Sequence, residues 1–174
     1  MSDIKVQDNL LSSDVLKNLQ FGILNPPFPW YIGRVLDDEN QLLCSHIHNY
    51  QLCHHFIGVD PRTSSSFAEK SEFIELLSPI VEHIKVVSWK RIKANLLYST
   101  SSIIKHGFHK DYPHPDLKAS IFYVNNNDGY TEFEDGTKIE SVANRLVTFP
   151  ANLKHTGTTC TNSPFRVVIN FNYF

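Results

Sequence analysis

The last ten residues, FRVVINFNYF (165–174), alternate in a way that only a β-strand can use. With side chains pointing to opposite faces at every step, Val167, Ile169, Phe171 and Tyr173 share one side, and Arg166, Val168, Asn170 and Asn172 share the other. The first face is wholly apolar and has to be covered by another layer. The second is short-chained and mostly polar, with one guanidinium near its start. It reads as the lining of a pocket and not as an open, solvated sheet surface. A chain that ends this way must build a sheet with a core on one side and a site on the other.

The segments before it supply the rest of that sheet. WKRIKANLLYS (89–99), KASIFYVN (118–125) and NRLVTFP (144–150) read as short strands. YTEFEDGTKIESV (130–142) reads as a hairpin with Asp135-Gly136 as its two-residue turn. NPPFPWYIGRVL and YQLCHHFIGV each predict a further strand. Two helical patterns occur in the first half. SSDVLKNLQFGIL opens with serine and aspartate at the N-cap and places Val15, Leu16 and Leu19 on one stripe. SSSFAEKSEFIELLSPIVEHIK places Phe73, Leu76, Leu77, Ile80, Val81 and Ile84 at helical spacing, and Pro79 predicts a kink or two short helices. The expected architecture is α+β, mainly β: an antiparallel sandwich or barrel with the N-terminal helices packed on one face.

At 174 residues without a repeat or linker, the chain is read as a single domain, 1–174. The net charge of −2 argues against a nucleic-acid partner. The absence of a long apolar run argues against a membrane partner. Three cysteines at unrelated spacings indicate no disulfide framework and no zinc ribbon, so a reducing, cytoplasmic setting is expected.

The chemistry concentrates in HGFHKDYPHPD (106–116), which contains two H-x-D pairs, His109/Asp111 and His114/Asp116. In an extended chain, residues i and i+2 point the same way, so either pair can reach one ion. His106 lies three residues before His109, off that face. His155, which follows the strand NRLVTFP after a short turn, is the natural third ligand. Two imidazoles and one carboxylate form the facial triad of non-heme Fe(II) oxygenases, which leaves adjacent coordination positions open. Arg166 follows His155 by 11 residues and offers the fixed cation that an anionic co-substrate needs.

The segments RIKANLLY, GFHKDY, SIFYVNNNDGYTEFEDGTKIESVANRLVTFPANLKHTGTTC and FRVVINFNYF, within residues 89–174, together resemble the iron(II)/2-oxoglutarate-dependent dioxygenases. They are most similar to the compact prolyl-4-hydroxylase-like branch, including short members encoded by tailed phages. The resemblance implies a double-stranded β-helix, or jelly roll. It selects His109, Asp111 and His155 as metal ligands, because Phe108-His109-Lys110-Asp111-Tyr112 matches the phage-type motif, and leaves His114 and Asp116 as loop residues near the pocket mouth. It implies Arg166 as the partner of the distal 2-oxoglutarate carboxylate, with Asn95 and Tyr98 as further co-substrate contacts. Those two lie three apart, on opposite faces of a regular strand, unless a bulge brings them together. Phe122 and Tyr123 compete for another such contact.

The implied cofactors are Fe(II), 2-oxoglutarate as co-substrate and O2, with ascorbate as an optional reductant. The implied reaction hydroxylates a substrate C–H as 2-oxoglutarate is decarboxylated to succinate. The expected substrate is proline in a peptide or protein, bound through the loop Tyr112–Asp116 and the stretch HIHNYQLCHH (46–55); a free amino acid or other small molecule is the alternative. A phage-encoded member would act in the host cytoplasm. Asp128-Gly129-Tyr130 stands where the family has a Gly-Gly pair. The rival readings are a metal-dependent cupin, a non-enzymatic jelly-roll binding module, and a zinc site built from His46, His48, Cys53, His54 and His55.

Overall fold

In the computed structural model, which describes residues 4–35, 49–58 and 69–174, alternation along the C-terminal strand sets the architecture. The elements in chain order are β1 (Lys5–Gln7), α1 (Ser13–Leu24), β2 (Tyr31–Arg34), β3 (Tyr50–Gly58), β4 (Glu69–Lys70), a 3-10 helix (Glu72–Leu77) and α2 (Ser78–Ile84). There follow β5 (Trp89–Tyr98), β6 (Lys118–Tyr123), β7 (Tyr130–Phe133), β8 (Lys138–Glu140), β9 (Arg145–Pro150), β10 (His155–Gly157) and β11 (Phe165–Tyr173). They form two antiparallel sheets. The large one has eight strands in the order β1-β9-β6-β11-β5-β3-β2, with β4 paired to β3, and the small one has the order β10-β7-β8. β11 sits near the middle of the large sheet, between β5 and β6. This is the double-stranded β-helix arrangement, mainly β with few helices.

The two faces of β11 lead to two cores. Val167, Ile169 and Phe171 join Ile92, Ala94 and Leu96 of β5 against Leu19 and Ile23 of α1 and Leu77 and Ile80 of the second helical segment. The helices therefore cover one face of the large sheet, burying an apolar stripe each. On the other face, Ile121, Tyr123, Val147 and Phe149 pack against Phe133 and Ile139 of the small sheet. This second core closes the sandwich at one end and leaves room for a pocket at the other.

Local chemistry explains most boundaries. The Ser71 hydroxyl accepts a hydrogen bond from Phe73 N at 3.1 Å and caps the 3-10 helix. Pro79 falls in the first turn of α2, where its missing N–H costs nothing, so the expected break at Ser78-Pro79 becomes a 3-10/α junction. The 130–142 hairpin differs from expectation. Phe133 N bonds Thr137 O at 2.9 Å and Gly136 N bonds Phe133 O at 2.9 Å, so the loop has three residues, Glu134 to Gly136. Gly136 adopts φ of 86°, the left-handed position that ends a three-residue hairpin loop after its turn. The short strands β1 and β10 escape the sequence pattern because three residues carry too little alternation to register. Among the described residues, no helix is long and apolar enough to cross a membrane.

Candidate metal centre

The segment that carries His109 runs extended beside β10. His109 N donates to His155 O at 2.9 Å and His155 N donates to His109 O at 3.0 Å, an isolated antiparallel bridge that sets the two imidazoles side by side with ring centroids 4.7 Å apart. Asp111 follows on the same face. One potential ligand atom from each of His109, Asp111 and His155 lies within 4.8 Å of the others. The structure thus brings these three together, and His114 and Asp116 do not join them: His114 Nδ1 accepts from Asp116 N at 3.3 Å in an exposed turn.

Each of two ligands is oriented from behind. His155 Nδ1 donates to Leu153 O at 3.0 Å, which fixes the tautomer and leaves Nε2 as the lone-pair donor. Phe133 and Phe149 pack on its ring. Asp111 accepts from Arg91 Nη2 on Oδ1 and from Asn172 Nδ2 on Oδ2, both at 2.9 Å, while Arg91 Nε donates to Asn172 Oδ1 at 3.0 Å. Burial pushes the Asp111 carboxyl pKa up, but Arg91, His155, Asn172 and His109 outweigh it and hold the value at about 2. The group is a carboxylate at any working pH, with lone pairs to spare beyond its two hydrogen bonds. Two imidazole donors and one ionised carboxylate fit a divalent transition metal.

Arg91→Leu would leave the buried Asp111 carboxylate, 4% exposed, without its ionic partner. We expect the metal-free protein to lose about 3–5 kcal/mol of stability. Thermal melting with and without Mn(II) checks this: added metal should recover much of the loss by supplying the missing positive charge.

A pocket of about 630 Å³, counting its open mouth, surrounds the triad. Alternate residues of β5 (Arg91, Lys93, Asn95, Leu97) and β11 (Arg166, Val168, Asn170) line it, facing Thr131, His155 and Gly157 of the small sheet. Arg166 is buried, 3% exposed, and has no ion pair among the described residues. Its Nε donates to Ser141 Oγ at 2.8 Å and its Nη2 to Thr131 Oγ1 at 3.1 Å, and its guanidinium lies 5.7 Å from the centre of the Tyr123 ring. The Tyr123 hydroxyl donates to Thr131 Oγ1 at 2.8 Å. Burial lowers the Arg166 pKa and raises that of Tyr123. Burial also lowers the Lys93 pKa.

Strand geometry sorts the remaining candidates. Asn95 lines the pocket, and its Oδ1 is buried without a hydrogen-bond partner. Tyr98 does not reach it: β5 pairs with β11 in unbroken register from Phe165↔Tyr98 to Val168↔Asn95, so no bulge turns Tyr98 inward, and it is 61% exposed. Of Phe122 and Tyr123, alternation sends Phe122 into the helix-side core and Tyr123 toward Arg166. His106 lines the pocket although it is not in the triad. His54 is used by the core, with Nδ1 on Pro29 O and Nε2 on the Ser71 hydroxyl, both at 2.9 Å. With Cys53 and His55 it forms no metal-binding group among the described residues, and His46 and His48 lie outside those residues.

Sequence reading passed over Arg91, Asn172, Thr131 and Ser141, because each acts through a partner distant in the chain. Gly129 carried a signal, as the retained glycine in Asp128-Gly129-Tyr130. A Cβ there would sit 2.7 Å from Arg166 Cδ and 2.7 Å from Thr159 O. Gly129→Ala should therefore displace the arginine stem or the backbone and cost about 1–3 kcal/mol in melting experiments.

No protein-family model and no curated protein matches the chain by sequence. Solved structures do match by fold. A prolyl hydroxylase from Trichoplax adhaerens, in complex with a hypoxia inducible factor oxygen degradation domain peptide fragment, superposes with a TM-score of 0.66 at 15% identity, covering 100% of this chain and 84% of that one. An oxidoreductase of the 2OG-Fe(II) oxygenase family from Burkholderia pseudomallei gives 0.65 at 11% identity, covering 98% and 84%. A non-heme alpha-ketoglutarate-dependent epimerase from nogalamycin biosynthesis gives 0.64 at 7% identity, covering 99% and 78%. The chain has the fold of the 2-oxoglutarate/iron oxygenases, with a His-Asp-His triad in its pocket.

Proposed function

We propose that this protein is an Fe(II)/2-oxoglutarate-dependent dioxygenase of the prolyl-4-hydroxylase-like branch. The observation that carries the reading is a pocket holding both an oriented His-Asp-His group and a buried arginine that has no counter-ion among the described residues. His109, Asp111 and His155 would hold the iron. Arg166 would pair with the distal carboxylate of 2-oxoglutarate, with the hydroxyls of Thr131, Ser141 and Tyr123 beside it. Asn95 Oδ1, buried and unpartnered, is a further polar contact in the same cavity.

When bound, the iron supplies the oxidising chemistry that couples decarboxylation of 2-oxoglutarate to succinate with insertion of one oxygen atom from O2 into a substrate C–H. The protein's own part is placement. The Arg91–Asn172 pair keeps Asp111 ionised and aimed, Leu153 O keeps His155 in its ligating tautomer, and the Phe133 and Phe149 rings exclude water from behind it. No side chain is required as a general base.

For the substrate we propose a prolyl residue, on the strength of the fold shared with a hydroxylase solved with a peptide, a likeness that concerns fold alone. The loop Tyr112–Asp116 borders Asp111, and Tyr112 is steadied by Arg91 5.5 Å from its ring centre. Of the stretch 46–55, residues 46–48 lie outside the described residues, whereas Gln51 lines the pocket. A free amino acid or other small molecule is the second reading, favoured by Lys93 in the lining, which has no ion pair among the described residues.

Incubation with Fe(II), 2-oxoglutarate and ascorbate should yield succinate, and mass spectrometry should find a +16 Da product among proline-containing peptides. Succinate formation stimulated by small molecules with every peptide untouched would retain the dioxygenase and reject the peptide substrate. No 2-oxoglutarate turnover and no metal-dependent binding of it would reject the enzyme and favour a binding module.

A further inference from the structure

The lining of the pocket is unbalanced in charge. Among the described residues it presents three basic side chains, Arg91, Lys93 and Arg166, and one carboxylate, Asp111. Arg91 is neutralised by Asp111 at 2.9 Å. Arg166 is turned to Ser141 and Thr131 at one end of the pocket, where the dioxygenase reading seats the distal carboxylate of the co-substrate. Lys93 remains. It is partly buried, faces the cavity, and makes no hydrogen bond or ion pair among the described residues.

Position separates Lys93 from the co-substrate's arginine. On the β5–β11 ladder Lys93 is opposite Asn170, while Arg166 is opposite Leu97, four residues further along β5. At about 3.4 Å per residue the two rows are roughly 14 Å apart. Lys93 is instead two residues along β5 from Arg91, whose pair with Asn172 holds Asp111, at the metal end of the pocket. A lysine kept out of bulk water without a counter-ion is costly unless a ligand brings the opposite charge. With Arg91 already committed to Asp111, Lys93 is the cation at the metal end, among the described residues, that can take up a further carboxylate.

We propose that Lys93 is a specificity-determining residue that recognises a carboxylate on the substrate, as borne by a free amino acid, beside the metal centre. This rests on the dioxygenase reading and chooses between its two substrate readings in favour of the small acid. A flexible, strongly hydrated ammonium suits a single carboxylate held next to a second anion, and an uncharged backbone amide gives it no compensating charge.

The test is calorimetric titration of the Mn(II)-loaded protein, with and without 2-oxoglutarate. The titrants are the common amino acids, proline included, the corresponding amides, and proline peptides that are either capped at both ends or carry a free C-terminal carboxylate. The acids are expected to bind and the amides and capped peptides to bind far more weakly. Binding of only those peptides that end in a free carboxylate, with no free amino acid bound, would overturn the choice of a small acid. Lys93→Met, which keeps the aliphatic volume, should weaken acid binding about ten- to a hundred-fold, as loss of a charge-assisted hydrogen bond does, and Lys93→Arg should restore part of it. Affinity for 2-oxoglutarate should stay at the wild-type value in Lys93→Met.

Acids binding no better than amides, or no acid binding at all, overturns the proposal from the wild-type protein alone, whatever the variants do to folding. A loss confined to 2-oxoglutarate affinity in Lys93→Met assigns the lysine to the co-substrate and also overturns it. Failure of wild-type protein to bind 2-oxoglutarate in a metal-dependent way sinks the dioxygenase reading instead, a separate signal in the same instrument.

Discussion

Replacing His109, Asp111 or His155 singly by alanine is expected to abolish metal-dependent turnover of 2-oxoglutarate while leaving the sandwich folded. Each change removes one of the three donors that, among the described residues, lie within 4.8 Å of one another. Losing an outer partner of a metal ligand already costs roughly 10–100-fold, so losing the ligand itself should bring activity below detection. The fold is expected to survive because the reciprocal bonds between His109 and His155 are made by backbone atoms, which alanine retains. Succinate formation, metal titration and circular dichroism together check this. His114→Ala and Asp116→Ala should keep most activity, since both lie in an exposed turn outside the pocket lining. Full activity in any triad variant, or loss in the second pair alone, would move the metal to other ligands.

Arg166→Ala should sharply weaken 2-oxoglutarate binding with little effect on the metal. The guanidinium is 3% exposed and has no ion pair among the described residues, so its charge is available to a ligand carboxylate and poorly screened by water. Losing one partner of such a pair costs about 2–5 kcal/mol, equivalent to roughly thirty- to several-thousand-fold in affinity. Arg166→Lys should recover only part, because one ammonium cannot hold Ser141, Thr131 and a carboxylate with the geometry of a planar fork. Titration of 2-oxoglutarate into the anaerobic Fe(II) protein measures both variants. An unchanged midpoint in Arg166→Ala would mean that another cation holds the co-substrate.

How far the site could be read in advance follows the range of the interaction concerned. Local relations were legible: His109 and Asp111 two apart in extended chain, Pro79 in a helical pattern, and the alternation that puts Arg166, Val168, Asn170 and Asn172 on one face. Relations between strands were not. That β5 meets β11 with Asn95 opposite Val168 is a matter of register, and a one-residue slip would have turned Tyr98 inward in place of Asn95. The three-residue hairpin loop was hidden for a similar reason. Asp-Gly fits both loop lengths, and the pairing of Phe133 with Thr137 selects one.

By itself, the sequence determined that this chain makes a mainly-β sandwich with a helix-covered face, and that its candidate metal ligands lie in H-x-D and a later histidine. Those features depend on side-chain periodicity and on donor types a few residues apart, which the order of residues encodes directly. Tertiary structure alone decided which charges are spent. Arg91 crosses from β5 to Asp111, Asn172 reaches the same carboxylate from β11, Arg166 is buried over Tyr123, and Lys93 at the metal end has no ion pair among the described residues. The physical reason is that a charge's role is set by what lies within a few ångströms of it, and in a sheet those neighbours are contributed by strands far apart in the chain.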